Sequence, residues 1–174
     1  MSAVKKNKSL PNLSLVSSED RVFMAEVLRS VIPQYEPIMP GGFQKWSNQI
    51  ESAPLPDFIK TELILNEKQK LGFIATVRIT EGIHYLMMLY FLPAHQRLGY
   101  GKTVLNSLYD RLKREGQHEL ILLVNQQADW AIDFYQKNGF KIIAREQNAI
   151  EAYCDSKMKP FFVPGTLLMG KTIF

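Results

Sequence analysis

The sequence contains little cysteine and no long hydrophobic run. Its 174 residues include a single cysteine, Cys154, which excludes an internal disulfide and is typical of a reducing compartment. No apolar stretch reaches the roughly 18 residues that a transmembrane helix needs. The three histidines are scattered, so no spacing typical of a metal site occurs. These absences predict a soluble, cytoplasmic protein without a disulfide, a membrane span or a metal.

The chain also carries only a small excess of positive over negative charge. The net charge is +4, and three lysines among the first eight residues supply most of it. The remaining chain is nearly balanced and lacks a basic face with interleaved aromatics, so nucleic-acid binding is not predicted. Residues 10–16 are interrupted by Pro11, Asn12 and Ser14 and form no signal-peptide core. We predict a loose tail over residues 1–12 and one domain over 13–174, because 46% of the residues are hydrophobic and suffice for a sizeable core.

Periodicity in the first half of the chain predicts two helices and an antiparallel meander. A capping pattern at Ser17 and Asp20 precedes apolar residues at helical spacing from Phe23, and Pro33 ends this helix. A shorter helix is predicted over residues 43–50, after a loop at 34–42 that contains prolines and glycines. Strands are predicted at residues 13–16, 58–65, 71–80 and 84–92, with turns at 66–70 and 81–82.

The meander leads into a glycine-containing loop and then a helix. Gly99 and Gly101 lack a Cβ atom, so the backbone can approach a ligand closely. The helix, predicted to begin at Lys102, directs unpaired N–H groups back into this loop. Such a corner binds anions, most often phosphate.

Spacing separates three phosphate-binding patterns at this loop. A P-loop requires its first glycine where this chain has Gln96, and a dinucleotide fingerprint requires its third glycine where the chain has Val104. The pattern that fits is Q-x-x-G-x-G, which runs from Gln96 to Gly101. It resembles the acyl-CoA loop of the GNAT superfamily of N-acetyltransferases. The alternative is a glycine-rich turn without a ligand.

A second segment strengthens this resemblance. Residues 119–125, 128–139 and 141–146 predict a strand, a helix and a strand, and a last strand is predicted at 166–174. Within them the chain matches the GNAT pattern V-x-x-x-N-x-x-A-x-x-[LF]-Y-x-x-x-G-F at six of its seven fixed places. Ala128 stands where the family usually has asparagine, which puts one amide contact to the cofactor in doubt. The resemblance covers about residues 13–174.

The resemblance implies a specific α/β (α+β) fold. It has a mixed sheet of about six to seven strands with an antiparallel N-terminal meander, and about four helices. The fourth and fifth strands, here residues 84–92 and 120–125, run parallel and splay apart, and acetyl-CoA enters between them. The cofactor-binding residues implied are Phe91, Leu92, Gln96, Arg97, Leu98, Gly99, Tyr100, Gly101, Lys102, Asn125 and Tyr135.

The resemblance also suggests catalytic residues. Tyr135 matches the position of a tyrosine that donates a proton to the CoA sulfur in many family members. The alternative is an aromatic residue that packs beside Phe134. The general base is not evident, and the candidates are His84, which has a suitable intrinsic pKa, and Glu81 acting through water.

The acceptor is left open at this stage. Residues 34–56 and 147–165 are expected to form its site. Within them Glu36, Glu51, Glu151 and Asp155 are possible partners of a cationic acceptor, and Trp46, Tyr153, Phe161 and Phe162 are possible walls for an apolar one. An amine-bearing small molecule or peptide is expected as the partner, and the protein is expected to be a monomer or homodimer. Two functions compete: an acetyl-CoA-dependent N-acetyltransferase, and an acyl-CoA-binding module without efficient catalysis.

Overall fold

The computed structural model describes residues 12–15 and 20–174. Most of the predicted N-terminal tail and Ser17 of the predicted cap lie outside these residues. The elements, in chain order, are β1 (Asn12–Leu15), α1 (Asp20–Ser30), α2 (Ile32–Tyr35), α3 (Gly42–Ser52), β2 (Ile59–Asn66), β3 (Gln69–Arg78), β4 (Ile83–Phe91), α4 (Tyr100–Arg114), β5 (Glu119–Asn125), α5 (Asp129–Lys137), β6 (Lys141–Ala144), α6 (Gln147–Ala152) and β7 (Thr166–Thr172).

One mixed sheet joins all seven of these strands. Their order is β1-β2-β3-β4-β5-β7-β6. Strands β1 to β4 form an antiparallel meander, β4 and β5 are parallel, and β7 lies antiparallel between β5 and β6. The predicted α/β class, with its N-terminal meander and parallel central pair, is confirmed.

The parallel pair separates part-way along its length. Residues 83–86 of β4 pair with residues 119–122 of β5, and no pairing between the two strands continues beyond Leu86 and Leu122. At that point β4 contains a bulge, because Ala75 of β3 pairs with Met88 and Thr76 pairs with Leu86. Beyond it β4 stays bonded to β3, and β5 stays bonded to β7. The predicted splay is thus present, and it opens at Met87.

Helices cover both faces of the sheet because side chains alternate along each strand. On one face Leu105, Leu108 and Leu112 of α4 pack against Ile74 and Leu120. The other face is covered by two groups, whose members include Met24, Leu28 and Phe43 of α1 and α3, and Ile150 and Met158 from the segment 147–165. In residues 12–15 and 20–174, no helix combines the length and the apolar character of a membrane span.

Four details differ from the sequence-based predictions. Pro33 does not end helical structure, since it occupies the first turn of the short α2, where a missing N–H is tolerated. Helix α4 begins at Tyr100 rather than Lys102. The turn after β2 is only two residues long. The four longer helices were predicted, whereas α2 and α6 add two short ones.

Candidate active site

Two cavities meet at the splay between β4 and β5. The larger has a volume of about 380 Å³ and extends to the glycine loop. The smaller has a volume of about 100 Å³ and extends toward α3 and β7. Five residues line both cavities: Tyr35, Leu89, Tyr90, Ala131 and Tyr135. A molecule in one cavity would therefore contact a molecule in the other at these residues.

The glycine loop forms one wall of the larger cavity. Gly99 precedes α4 with φ +87°, and a Cβ on Gly101 would lie 2.9 Å from a ring carbon of Phe134. The Thr103 N–H donates to the Gly99 carbonyl oxygen at 3.2 Å, so the N–H groups of Gly101 and Lys102, in the first turn, have no intrahelical acceptor. Exposed Arg97 and Lys102 add positive charge. This wall fits an anionic phosphate group.

The end of β4 forms the adjacent wall, next to Leu92, which was predicted to contact the cofactor. The Leu92 N–H donates to the Leu71 carbonyl oxygen at 2.9 Å, and the Leu92 carbonyl oxygen accepts from the His95 N–H at 2.8 Å. Both main-chain groups of Leu92 are thus already used, and Leu92 lines neither cavity. Because main-chain groups alternate along a strand, those of Phe91 and Leu89 face the gap instead.

The predicted cofactor residues divide into two groups. Those that line the larger cavity are Phe91, Gln96, Arg97, Gly99, Gly101, Lys102 and Tyr135. Leu98 and Tyr100 line neither cavity; the Tyr100 hydroxyl accepts from the Asn66 amide at 3.2 Å. Asn125 lines only the smaller cavity, and its side-chain oxygen accepts from the Gln127 N–H at 2.9 Å. Gln96 braces the loop, because its amide donates to the Phe91 carbonyl oxygen at 3.1 Å.

Tyr135 lies between the two cavities. Its ring contacts Phe134 and Phe140 with centroids 5.1 and 5.4 Å away. Burial, together with the nearby hydroxyls of Tyr35 and Tyr85, raises the pKa of Tyr135 well above the ordinary value. The hydroxyl is protonated at neutral pH and is available as a hydrogen-bond donor.

The two predicted bases lie elsewhere. Glu81 is exposed in the turn before β4, and His84 is buried on the α4 side of the sheet. Neither residue lines a cavity. Burial lowers the pKa of His84 to about 4, so its ring is neutral at pH 7 and is a weak base. His84 was predicted from its intrinsic pKa alone, and its place in the paired half of β4 removes it from the cleft.

Three aromatic residues of the site were not predicted. Tyr35 of α2 packs against Trp130 of α5, with ring centroids 5.4 Å apart; burial raises the pKa of Tyr35, and the nearby Trp130 indole partly offsets this rise. Tyr90 of β4 lies 6.3 Å from Tyr35, and burial raises its pKa. In the sequence, the only signal for these residues was that Trp130 lies within the second motif, two residues after Ala128. In the structure Trp130 is partly exposed. Ala128 itself is fully buried.

The residue types at the splay are hydroxyls, amides and apolar groups. Within the part of the chain that the structure describes, no three His, Cys, Asp or Glu side chains come together in a metal-binding arrangement. The larger cavity is basic at the glycine loop and apolar at the splay. It therefore suits a long ligand with an anionic end and a thin uncharged arm.

The profile of the acetyltransferase (GNAT) family matches residues 25–140. The chain belongs to this family. The match includes both motifs identified from the sequence and confirms the predicted membership in a family of acyltransferases. It spans β2 to α5, which contribute most of the walls of the larger cavity.

Known GNAT proteins share the whole fold. An acetyltransferase from Thermus thermophilus superposes with a TM-score of 0.70 at 15% identity, over 95% of this chain and 98% of that one. The PaiA N-acetyltransferase of Thermoplasma acidophilum, solved in complex with coenzyme A, gives 0.67 at 23% identity, over 93% and 98%. In sequence, the chain is 40% identical over 65 residues to N-alpha-acetyltransferase 50 of Danio rerio, which covers 37% of this chain and 39% of that protein. The chain thus matches less than half the length of this relative.

Proposed function

We propose that this protein is an N-acetyltransferase that moves the acetyl group of acetyl-CoA to a primary amine by direct attack in a ternary complex. The observation that carries the proposal is the junction of two cavities at the splay, with Tyr135 between them. The larger cavity has the form and charge for the acyl donor, and the smaller one leaves room for the amine. Both substrates would then be present before the reaction begins.

The donor would be held by main-chain groups. Its pyrophosphate would accept hydrogen bonds at the start of α4, where Gly99 and Gly101 leave space. Its amide-containing arm would run along the open edge of β4, whose Leu89 and Phe91 groups face the gap. A charge-assisted hydrogen bond contributes about 1.5–3 kcal/mol, so a few of them account for micromolar affinity.

The reaction needs a proton donor at the sulfur. The amine nitrogen attacks the thioester carbon, so that a C–N bond forms and the C–S bond breaks. A main-chain N–H near Leu89 would stabilise the negative charge that develops on the carbonyl oxygen. The leaving thiolate takes the proton of the Tyr135 hydroxyl, and the proton released by the amine restores that hydroxyl through solvent.

The acceptor that we propose is the α-amino group of a polypeptide. This rests on the similarity to N-alpha-acetyltransferase 50 of Danio rerio, a match of 65 residues. The smaller cavity supports it, because it lies at the splay beside Tyr135 and encloses only a small part of a ligand. An acceptor with an extended chain would place its amine there and leave its remainder outside.

Calorimetric titration with acetyl-CoA tests the donor site, and the chain offers a matched control. Gly99 and Gly116 flank α4, both have positive φ, and a Cβ at either position meets nothing within 4 Å. Gly99→Glu and Gly116→Glu therefore impose similar backbone strain, but only the first places a carboxylate at the larger cavity. We expect micromolar binding by the wild type and by Gly116→Glu, and at least about 100-fold weaker binding by Gly99→Glu. Equal binding by all three would contradict the proposed site.

A second function competes on two observations. Ala128 supplies no amide, and neither predicted base, His84 or Glu81, lines either cavity; both observations favour an acyl-CoA-binding module. Release of free CoA from acetyl-CoA, measured with a panel of amines, separates the two functions. A module that only binds would release none above the uncatalysed rate.

A further inference from the structure

The smaller cavity, which we call the acceptor cavity, is apolar on most of its walls. Apolar side chains come from four elements and from the segments before α3 and before β7: Met39, Phe43, Trp46, Leu86, Met87, Leu89, Leu123, Val124, Ala131 and Val163. We propose that it selects a primary amine with an apolar group beside the amino nitrogen and without a second charge. This inference rests on the proposed function and specifies its acceptor.

The acceptor cavity has no charged wall. Its polar side chains are the hydroxyls of four tyrosines and Thr166 and the amide of Asn125. The Asn125 oxygen already accepts from Gln127, and the Thr166 hydroxyl donates to the Val163 carbonyl oxygen at 2.6 Å. A second ammonium group would lose its hydration here without a counter-charge, which disfavours its entry.

The carboxylates that were expected to attract a cation are positioned for other contacts. Glu36 accepts the Gly41 N–H, with oxygens at 3.0 and 3.2 Å. Glu51 forms an ion pair with Arg29, and Glu151 accepts from the Gln147 amide at 2.7 Å. None of these three, nor Asp155, lines the acceptor cavity. The structure thus offers a polyamine no acidic site beside the splay.

The same lack of charge helps to remove the proton of the acceptor. At pH 7 an alkylamine with a pKa near 10.4 has about one free base in 10³ molecules, and a polypeptide α-amino group with a pKa near 8 has about one in ten. An uncharged cavity lowers the pKa of an amine that enters it, because burial disfavours the cation. Hydroxyl oxygens of Tyr90 and Tyr135 can accept the remaining N–H groups. The acceptor therefore enters as the neutral nucleophile, and its proton leaves to solvent beforehand.

The two tryptophans distinguish the cavities. The chain has only two tryptophans, Trp46 and Trp130. Of the two cavities, Trp46 lines only the acceptor cavity, and Trp130 lines only the larger cavity. In a Trp130→Phe variant the emission of Trp46 reports on the acceptor, and in Trp46→Phe the emission of Trp130 reports on acetyl-CoA. Acceptor binding is then measured without any need for turnover.

Butylamine and putrescine form a matched pair of acceptors, since they share a four-carbon chain and differ by one amino group. We expect kcat/KM for butylamine to exceed that for putrescine at least about tenfold, and butylamine alone to change the Trp46 emission. Peptides that begin with methionine and with aspartate provide the same contrast on a longer acceptor. Equal or better use of putrescine by the wild type would overturn the inference while leaving the acetyltransferase proposal intact.

Val163→Asp would introduce the missing charge at the wall of the acceptor cavity. We expect it to reverse the preference toward putrescine, whereas Val22→Asp, at a position 57% exposed on α1, should leave the preference unchanged. Met39→Glu is the second variant if the first does not fold. An unchanged preference in a folded variant would contradict the inference.

Absence of CoA release with every amine would refute the proposed function, and a Trp46 response to butylamine would still support the acceptor cavity.

Discussion

The two halves of β4 differ in the number of strands that pair with them. Residues 84–86 have neighbours on both sides, and their side chains, including those of His84 and Leu86, are buried. Residues 87–91 keep β3 as a neighbour but have lost β5, so alternate main-chain groups face a cavity. The bulge at Met87 marks the change. Pairing that ends within a sheet leaves main-chain donors and acceptors exposed, and these suit a ligand with peptide-like groups.

The largest effect is expected from Tyr135→Phe. Tyr135 lies in the cleft beside residues 87–91, which we call the splayed half of β4. Loss of the hydroxyl removes the proton donor for the CoA sulfur and should lower turnover about 100-fold or more. Binding of acetyl-CoA, measured by calorimetry, should stay nearly unchanged because the ring remains. Tyr109→Phe is the control: burial raises the pKa of Tyr109 as well, but its hydroxyl bonds to the Thr172 carbonyl oxygen outside both cavities. Turnover within about twofold of the wild type in Tyr135→Phe would exclude the acid role.

The next largest effect is expected from His84→Leu. His84 lies in the part of β4 that pairs with both β3 and β5, which we call the paired half. Burial lowers the pKa of His84 from 6.5 to about 4; the charge of Glu115 partly offsets this effect, and that of Arg111 adds to it. The unfolded chain thus binds a proton at higher pH than the folded protein, and the free energy of unfolding falls as pH drops from about 6.5 to 4. At pH 4.5 this loss amounts to about 2–3 kcal/mol.

Urea unfolding at pH 7 and 4.5 measures this loss. His84→Leu should lose about 2–3 kcal/mol less than the wild type between these values, and its turnover at pH 7 should stay within about twofold, because His84 lines neither cavity. His118→Leu, at an exposed position, should retain the acid sensitivity of the wild type. A large loss of turnover in a stable His84→Leu protein would restore the histidine as a candidate base.

Part of the fold and of the candidate site could be predicted from the sequence. Gly99, Gly101 and Tyr135 were identifiable, because a glycine loop and a helix-borne tyrosine follow local spacing. The antiparallel meander, the parallel central pair and the mixed α/β class followed from periodicity together with the family resemblance, whereas the position of β7 between β5 and β6 was not predicted. Local signals of this kind depend only on residues close together in the chain.

Contacts between distant elements were not predictable from spacing. Leu92 was assigned to the cofactor because it follows the strand, but β3 and the next turn take its main-chain groups. His84 was considered for its chemistry, although register places it in the core. Tyr35 reaches the splay because α2 packs beside α5, with Trp130 as its partner. Each outcome depends on how separate elements dock, which no local pattern encodes.

The smallest effect that we predict compares two glutamines at the ends of β4. Gln96 donates to the Phe91 carbonyl oxygen at 3.1 Å, beside the larger cavity. Gln117 donates to the Glu81 carbonyl oxygen at 2.9 Å, before the paired half. Each bond is worth about 0.5–1.5 kcal/mol, so Gln96→Ala should weaken acetyl-CoA binding about 3–10-fold by loosening the wall that the donor follows.

Gln117→Ala removes the corresponding brace at the other end of β4. Gln117 is almost fully buried, so this variant should lower the free energy of unfolding more than Gln96→Ala does, yet bind acetyl-CoA as the wild type does. Calorimetry and urea unfolding on both variants give the two quantities. If both variants weakened binding equally, the paired half would influence the cavity as strongly as the splayed half. If only Gln96→Ala did, the donor site would depend on the geometry of β4 beyond Met87 alone.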